Sequence, residues 1–145
     1  MLDLVFLTDK FYEDYASCVE IERKPLRPHL CVALLVNDNL CCIPFRSNIR
    51  HKYAIWTDKE NKCGLDFSKA VVITDERKYI DRSKRAYLRP NEYTVFKTIT
   101  DRDVEDAMTR YLKQYRRAKA ALQAPHNKAF LKYSCIQYFE KYFDV

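Results

Sequence analysis

The sequence predicts an α+β domain whose mostly antiparallel sheet is packed with helices. Three observations carry this. Short β-type runs crowd the first half, two of them joined by an Asn/Asp turn. The last third carries a long amphipathic helical pattern. Strands followed by helices, rather than alternating with them, place the helices on an antiparallel sheet.

Leu4 to Leu7 reads as a short strand. Asp9 to Cys18 reads as a helix capped by Thr8 or Asp9. Lys24-Pro25-Leu26-Arg27-Pro28 is an extended connector, because each proline biases its predecessor away from the helical region. Leu30 to Val36 and Leu40 to Phe45 flank Asn37-Asp38-Asn39 and form a hairpin. Their continuous hydrophobicity predicts cover on both faces. Ala54 to Thr57, Ala70 to Thr74 and Tyr93 to Ile99 are further strand candidates, and the polar stretch Asp58 to Gly64 separates two of them. The chain's lone glycine, Gly64, is expected to adopt a backbone shape closed to other residues. Thr100 or Asp101 caps the long helix, on which Val104, Ala107, Met108, Tyr111, Leu112, Tyr115, Ala118 and Leu122 recur at three- and four-residue steps until Pro125 ends it. A final helix is expected from about Asn127 to Tyr142.

With 145 residues, no repeat and no low-complexity stretch, the chain reads as one domain over residues 1–145. Apolar residues at 48% argue against disorder. No apolar run reaches membrane-spanning length, and Met1-Leu2-Asp3-Leu4 has no basic leader, so a cytoplasmic protein without a membrane partner is expected. The six cysteines include no Cys-x-x-Cys pair, which favours buried, reduced thiols over disulfides or zinc. No metal and no cofactor is expected.

The net charge of +6 is uneven: Glu76 to Tyr133 holds 15 Lys/Arg against 7 Asp/Glu, and the remainder 11 against 13. A basic second half rich in tyrosine is compatible with nucleic acid, since phosphates seek cations and bases stack on aromatic faces. The segment Ile43-Pro44-Phe45-Arg46-Ser47-Asn48-Ile49-Arg50-His51-Lys52 is the richest in chemistry. Guanidinium groups clamp phosphate, an imidazole moves protons near neutrality, and a hydroxyl can donate to a phosphate oxygen. These are the parts of metal-free RNA cleavage. His51 is the candidate acid or base, Ser47 the donor to the scissile phosphate, and Arg46 and Arg50 the charge stabilisers. His29 and His126 are weaker candidates. His29, Lys52, Tyr53, Lys84, Arg85 and Tyr133 are candidate RNA contacts. A non-catalytic RNA-binding module and a protein-interaction domain that is merely basic are the competing readings.

Three stretches carry a family resemblance. They are Arg27-Pro28-His29 with Leu40 to Phe45; Ile43 to His51 with Gly64-Leu65-Asp66-Phe67-Ser68-Lys69-Ala70-Val71-Val72-Ile73; and Leu131-Lys132-Tyr133-Ser134-Cys135-Ile136-Gln137-Tyr138-Phe139. In these the chain resembles the endoribonuclease toxins of type III toxin–antitoxin systems (ToxN/AbiQ, CptN and TenpN), the TenpN-like members most. The resemblance implies a strongly twisted antiparallel sheet packed with helices, similar to the Kid/MazF-type ribonuclease toxin fold, and cleavage leaving a 2′,3′-cyclic phosphate and a 5′-hydroxyl. It implies cellular mRNA as substrate. It also implies a small repeat, pseudoknotted antitoxin RNA that the toxin processes and that then inhibits it in a closed toxin–RNA hetero-oligomer, in phage abortive infection or plasmid maintenance. The ToxN branch has a Thr-Ser-x-Lys element. Here Ser47 matches its Ser, Arg46 stands at the Thr and Ile49 at the Lys, which leaves that function to Arg50 or His51. The resemblance also makes Lys24 and Arg27 on the prolyl connector candidate RNA contacts, and it lines the groove with the helix bearing Tyr133 and Ser134, which adds Ser134 to those contacts.

Overall fold

The computed structural model describes residues 2–21 and 30–145. The connector residues Lys24, Arg27 and His29 lie outside the described residues. The chain runs through β1 (Asp3–Leu7), α1 (Asp9–Asp14), the hairpin β2 (Leu30–Val36) and β3 (Asn39–Arg46), and a second hairpin β4 (Ala54–Asp58) and β5 (Cys63–Asp66). A 3₁₀ turn (Phe67–Lys69) leads to β6 (Val71–Val72), α2 (Glu76–Tyr79) and β7 (Ile80–Asp81). The helical part comprises α3 (Pro90–Phe96), α4 (Asp101–Ala120), α5 (Pro125–Lys132), a 3₁₀ turn (Cys135–Tyr138) and α6 (Glu140–Phe143). Every strand pairing is antiparallel and the order is β4-β5-β3-β2-β1-β7, so the predicted α+β class with helices on an antiparallel sheet holds. The sheet does not close into a barrel.

The first hairpin turns on Asn37 (φ 50°) and Asp38 (φ 64°), both in the left-handed region that Asn and Asp tolerate. Asn39 belongs to the strand, opposite Val36, rather than to the turn. Cys41, Cys42, Ile43 and Pro44 are buried in succession, as a strand covered on both faces requires. The outer edge of β3 is shared. β6 pairs with Cys41 and Cys42, whereas β5 pairs with Phe45 and Arg46. Between them the chain swings off the sheet through Asp66 and the 3₁₀ turn. Pro44 sits in the stretch that neither strand covers, where a residue without an N–H costs least.

The long helix α4 starts at a capping box: Asp103 N–H donates to Thr100 Oγ1 (3.1 Å) and Thr100 N–H to Asp103 Oδ2 (2.9 Å). It buries Val104, Met108, Tyr111, Leu112, Tyr115 and Ala118, one face of a 3.6-residue period. Burying each of the larger of these contributes about 1.5–3 kcal/mol.

Four expectations need correction. The stretch from Tyr93 to Ile99 is not a strand, since α3 occupies Pro90–Phe96. Pro90 presets the first helical turn, and only Phe96 and Glu92 turn inward while Tyr93 and Val95 stay exposed. Pro125 does not end α4, which stops at Ala120; it opens α5. The last helix is not continuous. Ser134 is extended (ψ 131°) and its Oγ accepts from Ile136 N–H, an alternative to the helical ladder that splits α5 from the following turn. Gly64 has no positive φ. It is glycine because a Cβ there would strike the Ile55 carbonyl oxygen and come within 2.9 Å of Trp56 Cα on the paired strand β4.

Candidate active site

The chemistry gathers where the chain leaves the edge of β3. The loop after β3 turns at Asn48 (φ 57°) and is pinned by Ile49, which is buried and whose N–H donates to the Lys62 carbonyl (3.0 Å). Ile49 therefore anchors the loop, leaving Ser47 and Arg50 exposed on either side of it. At the far end of the loop the Tyr53 carbonyl accepts from Phe67 N–H (3.0 Å), which draws His51 onto the 3₁₀ turn.

Asp66, last residue of β5 and almost fully buried, is the hub. Its Oδ1 accepts from Ser68 N–H (2.9 Å) and Ser68 Oγ (2.6 Å) and lies 3.1 Å from His51 Nε2. Arg46 Nε stands 3.9 Å from its Oδ2. Burial pushes the Asp66 pKa upward. The hydrogen bonds from His51 and Ser68, with the charge of Arg46 nearby, outweigh it, and the carboxyl is held below its usual range. His51 Nδ1 accepts from Tyr53 N–H (3.0 Å), which assigns the ring proton to Nε2, facing Asp66 and Ser68 Oγ (3.2 Å).

These are the residue types of an acyl-transfer triad with different wiring. In a triad the carboxylate and the serine meet opposite ring nitrogens. Here both meet Nε2, and Ser68 gives its proton to Asp66 directly, so Ser68 is not set up as a nucleophile. What the cluster can do is hold an imidazole in one tautomer beside guanidinium groups, a site for an anion and a proton.

The cluster opens into a groove of about 340 Å³ whose walls include Arg46, Ser47, Arg50, His51, Lys69 and Tyr133. All four residues expected to act in catalysis therefore line one groove. Lys69, largely buried, donates to Glu20 Oε1 (3.1 Å) and to the Tyr133 carbonyl (2.9 Å), which ties the end of α5 to the site. Tyr133 is 55% exposed, with Lys132 Nζ 5.5 Å from its ring centroid. Tyr53 is half-buried, and Lys52 lies over its ring at 5.6 Å.

Ser134 does not face the groove. It is completely buried and its Oγ accepts from Tyr111 Oη at 2.6 Å, bracing the wall from behind. Lys84 and Arg85 are exposed but follow β7, at the opposite end of the strand order from β4 and β5. His126 lines a neighbouring cavity together with His51.

Sequence reasoning assigned no role to Asp66, Ser68 or Lys69. The signal was Asp66-x-Ser68 at the end of an apolar run, since Asp there bonds the backbone two residues on. Among the described residues no three of His, Cys, Asp and Glu converge as metal ligands, and no helix is long and apolar enough to cross a membrane. The chain matches no protein-family model, no curated protein and no solved structure.

Proposed function

We propose that the protein is a metal-independent endoribonuclease, the toxin of a type III toxin–antitoxin pair. The carrying observation is the contact of Asp66 with His51 and Ser68, beside Arg46, in an open groove that Arg50 and Lys69 also line. In the proposed reaction a ribose 2′-oxygen attacks the adjacent phosphorus and the bond to the 5′-oxygen breaks. A 2′,3′-cyclic phosphate and a 5′-hydroxyl remain. One proton leaves the 2′-oxygen and one reaches the 5′-oxygen. His51 handles one of these transfers, after its Tyr53 or Asp66 contact opens to substrate. Arg46 and Arg50 stabilise the charge that builds on phosphorus, and such preorganised terms are often worth several kcal/mol. Ser47 donates to a phosphate oxygen, and ionised Asp66 orients the ring. The substrates are cellular mRNA and the toxin's own repeat RNA. The processed pseudoknot stays bound as inhibitor in a closed toxin–RNA assembly, in the cytoplasm, as a device of phage defence or plasmid maintenance. The resemblance in the three stretches supports this biological setting.

One observation favours a non-catalytic RNA-binding module: both His51 ring nitrogens are already hydrogen-bonded, as in a structural histidine. Incubating purified protein with mixed RNA in excess EDTA separates the readings. Endonuclease action yields fragments with cyclic-phosphate ends, and His51→Ala slows it about a hundredfold or more while RNA binding persists. Intact RNA bound with a steep salt dependence would favour the module.

A further inference from the structure

Beside the reacting cluster lies a second hollow, of about 310 Å³, that the proposed chemistry does not use. It shares His51, Ser68 and Tyr133 with the catalytic groove. Its walls are aromatic and mutually braced, with the Tyr53 ring edge-on to Tyr111 (5.6 Å) and to Phe130 (5.1 Å). Beyond the shared His51 and Ser68, it adds the polar side chains Gln114, His126 and Asn127, the last fixed by donating Nδ2 to the Ala121 carbonyl (2.9 Å). On its far side a third hollow, of about 260 Å³, shares Tyr53, Tyr111 and Gln114 and adds the exposed cations Lys52 and Arg110. The series is thus cationic, aromatic, cationic.

A single RNA strand has the complementary pattern, with an anionic phosphate on either side of each planar base. We propose that the middle hollow takes the unpaired base of a nucleotide adjoining the scissile phosphate. The flanking phosphates would lie toward Arg46 and Arg50 on one side and Lys52 and Arg110 on the other. The word scissile rests on the endoribonuclease reading; the base site itself does not. The hollow's volume is at the lower end for ligand pockets, which suits one base and excludes a duplex. Exposed Tyr133 offers a face for stacking, and Gln114 and Asn127 offer donors and acceptors to a base edge. The hollow would therefore set both the preference for single strands and the choice of base.

The probes are 2′-O-methyl oligonucleotides of roughly eight nucleotides, matching the site sizes of single-strand binders. Oligo-A, -C, -G and -U and an abasic ribose-phosphate of equal length are compared at fixed salt. The expected result is that the abasic probe binds about tenfold or more weakly than the best homopolymer, as loss of stacking implies. Ala129→Trp fills the hollow from an exposed position on α5 and should bring all probes to the abasic level. Gln114→Ala, which leaves the aromatic walls intact, should compress the differences among the four bases. Equal affinity of abasic and base-bearing probes, or differences that survive both variants, overturns the proposal. Cleavage of unmodified RNA is scored alongside. Cleavage without base-dependent binding sinks the base site alone, and base-dependent binding without cleavage sinks the endoribonuclease reading alone. Failure to bind any probe, with unmodified RNA also left intact, sinks both.

Discussion

Asp66 shows how one buried carboxylate can organise a site. It accepts from Ser68 twice and meets His51 and Arg46, so its ionised form is matched on both oxygens. Its folded pKa lies below the ordinary value near ~3.9. The carboxylate therefore contributes stability above pH ~4, and that contribution is lost as pH falls through the depressed folded value. Urea midpoints of the wild type and of Asp66→Asn should differ most near neutrality and converge as the pH drops below about 4. A gap that stays constant down to the acid limit would show that Asp66 acts by shape rather than by charge. Only the local bond of Asp66 to Ser68 had a sequence signal; the rest of its role is made by partners 15 and 20 residues upstream that only the sheet brings near. His51, Arg46 and Arg50 were legible because their side chains announce their chemistry and share one loop.

At the scale of elements, the sequence is readable where local and tertiary demands agree. The Asn37-Asp38 turn and the α4 face were both evident, one from tolerance of positive φ and the other from period. The α3 stretch was misread because Tyr93, Thr94 and Val95 favour strands by intrinsic preference. Its helix is instead set by Pro90 and by the burial of Glu92 against Thr57, whose Oγ1 donates at 2.6 Å. The break after α5 was invisible because it depends on Tyr111, 23 residues away, donating to Ser134. Gly64 gives the sharpest test of the second hairpin. Gly64→Ala should separate β4 from β5 and cost about 1–3 kcal/mol, the usual range for forced overpacking. Thermal unfolding reads this directly. A neutral variant would mean that the Ile55 carbonyl gives way easily.

For the whole molecule, Lys84 and Arg85 lie on the stretch that leaves β7, at one end of the strand order, for α3, which packs against β4 at the other. From β5 to β7 the strand order takes four inter-strand steps, about 19 Å. Arg82, at the start of that stretch, is bound to Asp3 (2.8 Å) and Glu76 (2.9 Å), which leaves Lys84 and Arg85 as its outward charges. A short substrate reaches only the groove, whereas a folded antitoxin RNA can span the groove and that stretch. Reversing Lys84 and Arg85 to Glu should therefore weaken affinity for the antitoxin RNA more than it slows cleavage of a short oligonucleotide at the same salt. Equal losses would assign the two residues to the groove itself. No change in either would make them solvated surface.

The contacts of Lys69 also divide the site by the length of chain each half must close. His51 and Ser68 are 17 residues apart, joined through the second hairpin and its exit turn, so the loop closed among His51, Asp66 and Ser68 is short. Tyr133, which Lys69 holds by its carbonyl, is 64 residues further on. Closing that longer loop costs about 1 kcal/mol more, since each doubling of length adds about 0.6 kcal/mol. The entropic cost of assembling the site thus falls more heavily on the wall against which a strand would lie than on the groups that would move its protons.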